Sequence, residues 1–136
     1  MNPADELRTA AARLRELAAR AMHEDRPHWN TGHTLGSRSP VVVDHPETPS
    51  VLIETYAARL EAVNRYIAAM DPALGMVLAG WLDQAARYYE AGVQAADDVF
   101  RDDPAGREAF LTTGPGAPSE HALAVARQIN GKDQAA

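Results

Sequence analysis

The pair Asp71-Pro72 separates two apolar stretches and limits how they can fold. Proline disfavours the α conformation in the residue before it, so a helix that approaches the pair must end there. The same proline suits the first position of a new helix, and an aspartate before it can cap that helix with its side chain. The pair therefore predicts two successive helices that meet at a corner, with Asp71 as a helix cap rather than a catalytic acid.

Apolar residues recur at intervals of three and four on both sides of this corner, as in helices with one buried face. They predict helices at 3 to about 23, about 57 to 70, 72 to about 101 and 119 to about 130, with one or two turns around Phe110. Asn2 is placed to cap the first helix, and Asn130-Gly131 is typical of a helix end. The long third helix would extend about 45 Å, so we expect it to project or break near Gly92.

Proline and glycine interrupt any helical pattern between residues 23 and 50. Residues 29–35 and the β-branched run 41–43 predict a short antiparallel hairpin joined by a turn at 36–39. A second loop follows at 44–50. Residues 51–55 are either a third strand or the first turn of the next helix, and we favour the strand because three strands form a more stable sheet than two.

These elements predict an α+β fold that is mainly α: a helix, a small antiparallel sheet of two or three strands, then three helices. The 136 residues are enough for one domain with its own core. We assign residues 1–131 to that domain and residues 132–136 to a flexible tail.

Composition excludes several classes of function. The chain has no cysteine, which rules out disulfides and thiolate chemistry and suits a reducing cytoplasm. Its 13 basic and 19 acidic side chains give a net charge of −6, so direct binding of nucleic acid is not expected. The acidic N-terminus is unlike a signal peptide, and the longest nearly uncharged run, residues 72–82, is too short to cross a membrane. We therefore expect a cytoplasmic protein with no membrane contact.

The candidate site residues are few. His28 and His33 lie near acidic residues in the hairpin, but five residues of extended strand place them on opposite faces, so we predict no metal site. Trp29 is the better candidate for a surface or pocket, whereas Trp81 lies in register with apolar neighbours and is assigned to the core. We name Trp29, His28 and His33 as binding candidates, with Tyr88-Tyr89 as a further aromatic pair.

No motif for catalysis or for a cofactor is present. The serines lack the Gly-x-Ser-x-Gly context of a nucleophile elbow, and the glycines near residue 114 lack the Gly-Lys-Ser/Thr ending of a phosphate-binding loop. No paired carboxylates suggest acid–base work. We therefore predict no catalytic residue and no cofactor.

Several segments together resemble small proteins of unknown function from actinobacteria and their phages. They are the Pro27-His28-Trp29 element, the Ile-Ala-Ala-Met-Asp-Pro sequence at 67–72, and Ala-Arg-Gln-Ile at 126–129. The likeness covers most of the chain, although such proteins often have Pro-Gly-Pro-Trp where this chain has Asp25-Arg26-Pro27-His28-Trp29. The resemblance implies a phage or prophage accessory protein and supplies no catalytic residue.

We expect a non-catalytic protein–protein interaction module whose partner is unknown, with a homodimer through the Ala/Leu helix faces as one arrangement. The alternative is a small metal- or ligand-binding enzyme that uses the histidine-bearing hairpin. A third hypothesis is acidic mimicry of nucleic acid, which requires carboxylates at phosphate-like spacing on one surface.

Overall fold

A computed structural model describes residues 1–34, 39–45, 50–54 and 61–134 of the chain. In that part the elements are α1 (Pro3–Ala21), β1 (Asn30–His33), β2 (Pro40–Val43), β3 (Val51–Glu54), α2 (Glu61–Ala69), α3 (Pro72–Val99), α4 (Pro104–Thr112) and α5 (Glu120–Gln134). The predicted α+β class, mainly helical with a small antiparallel sheet after the first helix, is confirmed.

Three helices begin at a polar cap followed by proline, as the sequence predicted for α1 and α3. The side chains of Asn2, Asp71 and Asp103 each accept a hydrogen bond from the backbone N–H three residues further on, at 3.0, 2.9 and 3.0 Å. Each cap satisfies an N–H group that has no partner inside its own helix. Asp71 is therefore a helix cap.

The three strands form one antiparallel sheet in the order β1-β2-β3. Thr31 pairs with Val42 in the ladder between β1 and β2. In the ladder between β2 and β3, the register shifts between Val42 and Val43. The hairpin and the third strand are both confirmed. Residues 35–38 and 46–49, to which we assigned most of a turn and part of a loop, lie outside the described residues, as do residues 55–60 at the predicted start of the second helix.

Contacts divide the chain into two compact units. Unit 1 contains Met1–Leu14 and Leu78–Ala136, and unit 2 contains Arg15–Val77, so the boundaries fall inside α1 and α3. The core of unit 1 consists of small and medium side chains from α1, α3 and α5: Ala4, Leu7, Ala10, Ala11, Ala79, Leu82, Ala85, Ala86, Ala122, Leu123 and Ala126. Alanine at most of these positions lets the helix backbones approach closely.

Unit 2 buries the central strand of its sheet on both faces, because the adjacent residues Val41 and Val42 point to opposite sides. Val41 and Val42 of β2 are 2% and 0% exposed, and α2, which packs on β1 and β2, contributes Asn64 and Ala68 to the buried side chains. In unit 1, α1 is buried at Leu7, Ala10 and Ala11. A homodimer through the Ala/Leu helix faces stays a prediction.

Three details of the sequence-based prediction are wrong. Trp81 is 38% exposed rather than part of the core, because its neighbour Leu82 occupies the buried face and adjacent helical residues point about 100° apart. α3 continues without interruption through Gly92, and α5 continues through Gly131 to Gln134. Gly131 has no heavy atom near the position of an added Cβ, so it occupies an uncrowded helical position at a cost of about 1 kcal/mol relative to alanine.

Within the described residues, no helix has the length and apolar character that crossing a membrane requires.

Candidate functional site

Trp29 is fixed by the start of α3. Its backbone N–H donates to the Asp71 carboxylate at 3.1 Å, and the N–H of Ala73 donates to the carbonyl of Pro27 at 3.0 Å. Asp71 thus holds the Trp29 segment with one oxygen and caps α3 with the other. The indole N–H of Trp29 is buried without a hydrogen-bond partner among the described residues. This tryptophan is half-buried, and its backbone has a structural role.

A tight turn precedes Trp29. His23 and Arg26 form a β-bridge across Glu24 and Asp25, which have φ values of 52° and 57°. Two successive residues at positive φ are the conformation of a type I′ turn. Arg26 is brought by this turn to within 3.5 Å of Asp44.

Asp44 is the buried centre of a partly exposed polar cluster. One carboxylate oxygen lies 3.1 Å from Nδ1 of His23, and the other accepts the backbone N–H of Ser50 at 2.8 Å in addition to contacting Arg26. The bond from Ser50, reinforced by His23 and Arg26, lowers the pKa of Asp44. Both oxygens are already occupied, so the cluster connects the turn, β2 and β3 and has a structural role.

The two candidate histidines have different environments. His28 is exposed and forms no hydrogen bond or ion pair within the described part of the chain. Nε2 of His33 lies 3.0 Å from Oε1 of Glu61, and this contact lowers the pKa of Glu61. The pair borders a cavity of about 100 Å³ that Asn64 and Arg65 also line. A volume this small holds a few water molecules rather than a drug-sized ligand.

The histidines and carboxylates do not assemble into a ligand set for a metal. Among the residues that the structure describes, no group of three or more His, Asp or Glu side chains could hold an ion. His33 is paired with Glu61, and His23 with Asp44. An enzyme built on the histidine-bearing hairpin stays a prediction that rests on the sequence.

One cavity of unit 1 lies between α3 and the loop that follows α4. We call it the aromatic cleft; its volume is about 340 Å³. One side consists of α3 residues: Trp81, Gln84, Ala85, Tyr88, Tyr89 and Gly92. The other consists of Phe110 and the loop residues Pro115, Gly116, Ala117, Pro118 and Ser119.

Close packing around Gly116 sets the shape of the aromatic cleft. A Cβ on Gly116 would lie 2.2 Å from the Phe110 ring, so only glycine lets the loop pass this ring. Gly92 of α3 lies opposite, with the position of its missing Cβ 3.5 Å from the Gly116 backbone. Phe110 itself packs against Phe100, with ring centroids 5.6 Å apart. The loop is thereby held against α3 as a fixed wall.

The chemistry of the cleft is aromatic and uncharged. Its lining contains no Asp, Glu, Lys, Arg or His. Tyr88 is 69% exposed, and its hydroxyl oxygen accepts a hydrogen bond from the Gln84 amide at 3.0 Å. The Trp81 indole N–H forms no hydrogen bond within the described residues. Both rings therefore present a polar hydrogen beside an apolar face.

Nothing similar is found. No protein-family model matches the chain, and neither a curated protein nor a solved structure shows significant similarity to it.

A second cavity of unit 1, of about 400 Å³, has a different character. It lies near the start of α1 and shares Tyr89 with the aromatic cleft. Its charged residues are already paired: Glu90 forms a two-point contact with Arg8, and Nε of Arg107 donates to Asp97 at 2.7 Å. The hydrogen bond from Arg8 lowers the pKa of Glu90. These ion pairs leave little unsatisfied charge for a ligand.

The assignment of Trp81 to the core was wrong, whereas Trp29 as a surface or pocket residue stays a prediction. Trp29 is half-buried, whereas Trp81, which we assigned to the core, lines the cleft together with Tyr88. A signal for this was present: Trp81 and Tyr88 are seven residues apart, and each directly precedes a more buried residue, Leu82 or Tyr89. Two aromatic residues in the same position relative to a buried stripe indicate a shared outer face.

Proposed function

We propose that the protein is a non-catalytic protein–protein interaction module and that the aromatic cleft of unit 1 receives a partner. The observation that supports this most is the exposure of Trp81 and Tyr88 beside an uncharged concave surface. Tryptophan and tyrosine are enriched among the residues that contribute most to protein interfaces, because each combines a large apolar face with one hydrogen-bonding group.

The chemistry of the cleft also favours binding over catalysis. General acid–base catalysis most often uses a histidine or carboxylate at the reacting atoms, and the lining supplies neither. Tyr88, the most exposed ring of the cleft, is oriented by Gln84 rather than by a charged group. The resemblance to small proteins of actinobacteria and phages is compatible with an accessory factor that works through a partner.

The packing of the cleft favours binding as well. Gly116 and Phe110 hold the loop against α3, so its wall is ordered before a partner arrives. A preformed surface loses less conformational entropy on association than a surface that must be ordered by binding.

Affinity capture from host cells tests this proposal, with three forms of the protein as bait. Tyr88→Ala removes the exposed ring of the cleft. Tyr66→Ala is the matched control, because Tyr66 is 70% exposed on α2 and belongs to unit 2. We expect at least one protein to be recovered by the wild type and by Tyr66→Ala and to be lost with Tyr88→Ala. Identical recovery by all three baits would reject the cleft as the binding surface.

A further inference from the structure

We propose that the aromatic cleft binds an uncharged, extended segment in the polyproline II conformation, with prolines three residues apart. This inference rests on the proposed function and specifies the partner. It follows from the spacing of two rings, from the hydrogen-bonding groups that the rings present and from the uncharged lining of the cleft.

The spacing of the rings matches the repeat of this conformation. Trp81 and Tyr88 are seven residues apart on α3, which corresponds to about 10.5 Å along the helix axis. Polyproline II repeats every three residues, or about 9.3 Å. Two prolines on the same side of such a segment can therefore each pack against one ring.

The spacing alone does not distinguish this occupant from a helix. Two turns of α-helix rise about 10.8 Å, which is also close to the separation of Trp81 and Tyr88 along α3.

Hydrogen bonding distinguishes a polyproline II segment from a helix. The Tyr88 oxygen already accepts from Gln84, so its own hydrogen is the group left for a partner, and the indole N–H of Trp81 is a second donor. A polyproline II segment has no internal hydrogen bonds, so its carbonyl groups can accept from both. Helical carbonyl groups are mostly bonded within the helix. Proline also brings no N–H that would need an acceptor in the cleft.

The absence of charge in the lining defines the segment further. A charged side chain inside the cleft would lose hydration without meeting an opposite charge, since none of the lining residues is ionised near neutral pH. The residues between the prolines should therefore be small or apolar.

A titration of the full-length ¹⁵N-labelled chain with a capped octaproline peptide tests the inference. The chain has two tryptophans, so its spectrum contains two indole N–H signals, and Trp81→Phe identifies the one from Trp81. We expect the Trp81 signal to shift in a saturable manner while the Trp29 signal stays in place. Tyr88→Ala should weaken the affinity by about tenfold or more, and Tyr66→Ala should leave it unchanged.

Several outcomes would overturn the inference. One is a Trp81 signal that does not move at millimolar octaproline; another is an equal response to a capped Gly-Ser peptide of the same length. A shift produced instead by an apolar helical peptide, or by concentrating the protein alone, would assign the cleft to a helix or to a second copy. An unmoved Trp29 signal in Tyr88→Ala shows that this variant is folded. If octaproline fails but capture from cells still depends on Tyr88, the proposed function stands and only the partner class is wrong.

Discussion

At the scale of single residues, several side chains hold segments together through more than one bond. Asp71 caps α3 and holds the backbone of Trp29, and Asp44 binds a turn and the start of β3. Neither aspartate has an oxygen left over for chemistry on a ligand. These two carboxylates therefore have a structural role, and the proposed recognition surface uses exposed aromatic rings instead.

Asp44 should make the free energy of unfolding depend on pH in the acidic range. Its pKa is lowered from an ordinary value of 3.8, so the folded state is stabilised above that pH and loses this contribution as pH falls through the lower folded value. Asp44→Asn removes the charge but keeps an oxygen for Ser50. We expect this variant to be less stable than the wild type at pH 5, with a difference that shrinks toward pH 2.5.

Urea midpoints measured across this range test the expectation. Glu61 and Glu90, whose pKa values are also lowered, are present in both proteins, so their contributions cancel in the difference. A difference that stays constant with pH would show that the Asp44 charge contributes nothing to folding.

The residue scale also shows what sequence could predict. Asn2 and Asp71 were identified as caps because capping depends on local chemistry, a polar side chain followed by proline. The bonds of Asp44 to His23, 21 residues away, and of His33 to Glu61, 28 residues away, were not predicted, because such contacts depend on how distant segments pack. The aromatic cleft was missed for the same reason.

At the scale of elements, the boundaries that depend on proline were predictable and those that depend on glycine were not. Pro72 fixes the start of α3, because it lacks the N–H that a helix interior needs and disfavours the α conformation in Asp71. Gly92 and Gly131, in contrast, lie inside helices that continue through them. Glycine only weakens a helix, so neighbouring packing decides whether the helix ends.

Two glycine substitutions in unit 1 should have opposite effects on stability. Gly116→Ala places a Cβ 2.2 Å from Phe110 and should displace the loop, at a cost of about 1–3 kcal/mol. Gly80→Ala meets no heavy atom within 4 Å in the middle of α3 and should stabilise by about 0.5–1 kcal/mol. Urea unfolding of the two variants measures both changes. A neutral Gly116→Ala would mean that the cleft wall yields easily, and its response to octaproline should then also be unchanged.

At the scale of the whole molecule, alanine dominates the core of unit 1. Eight of its eleven fully packed residues are alanine, so the helices there are held by many small contacts rather than by a few large side chains. Such a core has little room for added volume.

Enlarging one of these alanines should therefore be costly. Ala122→Leu adds three carbon atoms at a site with 0% exposure on α5 and should destabilise by about 1–3 kcal/mol. Ala124→Leu is the control, because Ala124 lies on the exposed side of the same helix and leucine has a similar helix propensity there. Thermal unfolding followed by circular dichroism compares them. Equal melting temperatures would indicate that the α5 contact is loose.

The division of the chain also has a consequence for the order of folding during synthesis. Unit 2 is one continuous segment, Arg15–Val77, whereas unit 1 joins Met1–Leu14 to a segment that begins at Leu78. Leu7 and the alanines beside it are synthesised more than a hundred residues before the α5 residues that pack with them. The core of unit 1 can therefore be completed only after α5 has left the ribosome.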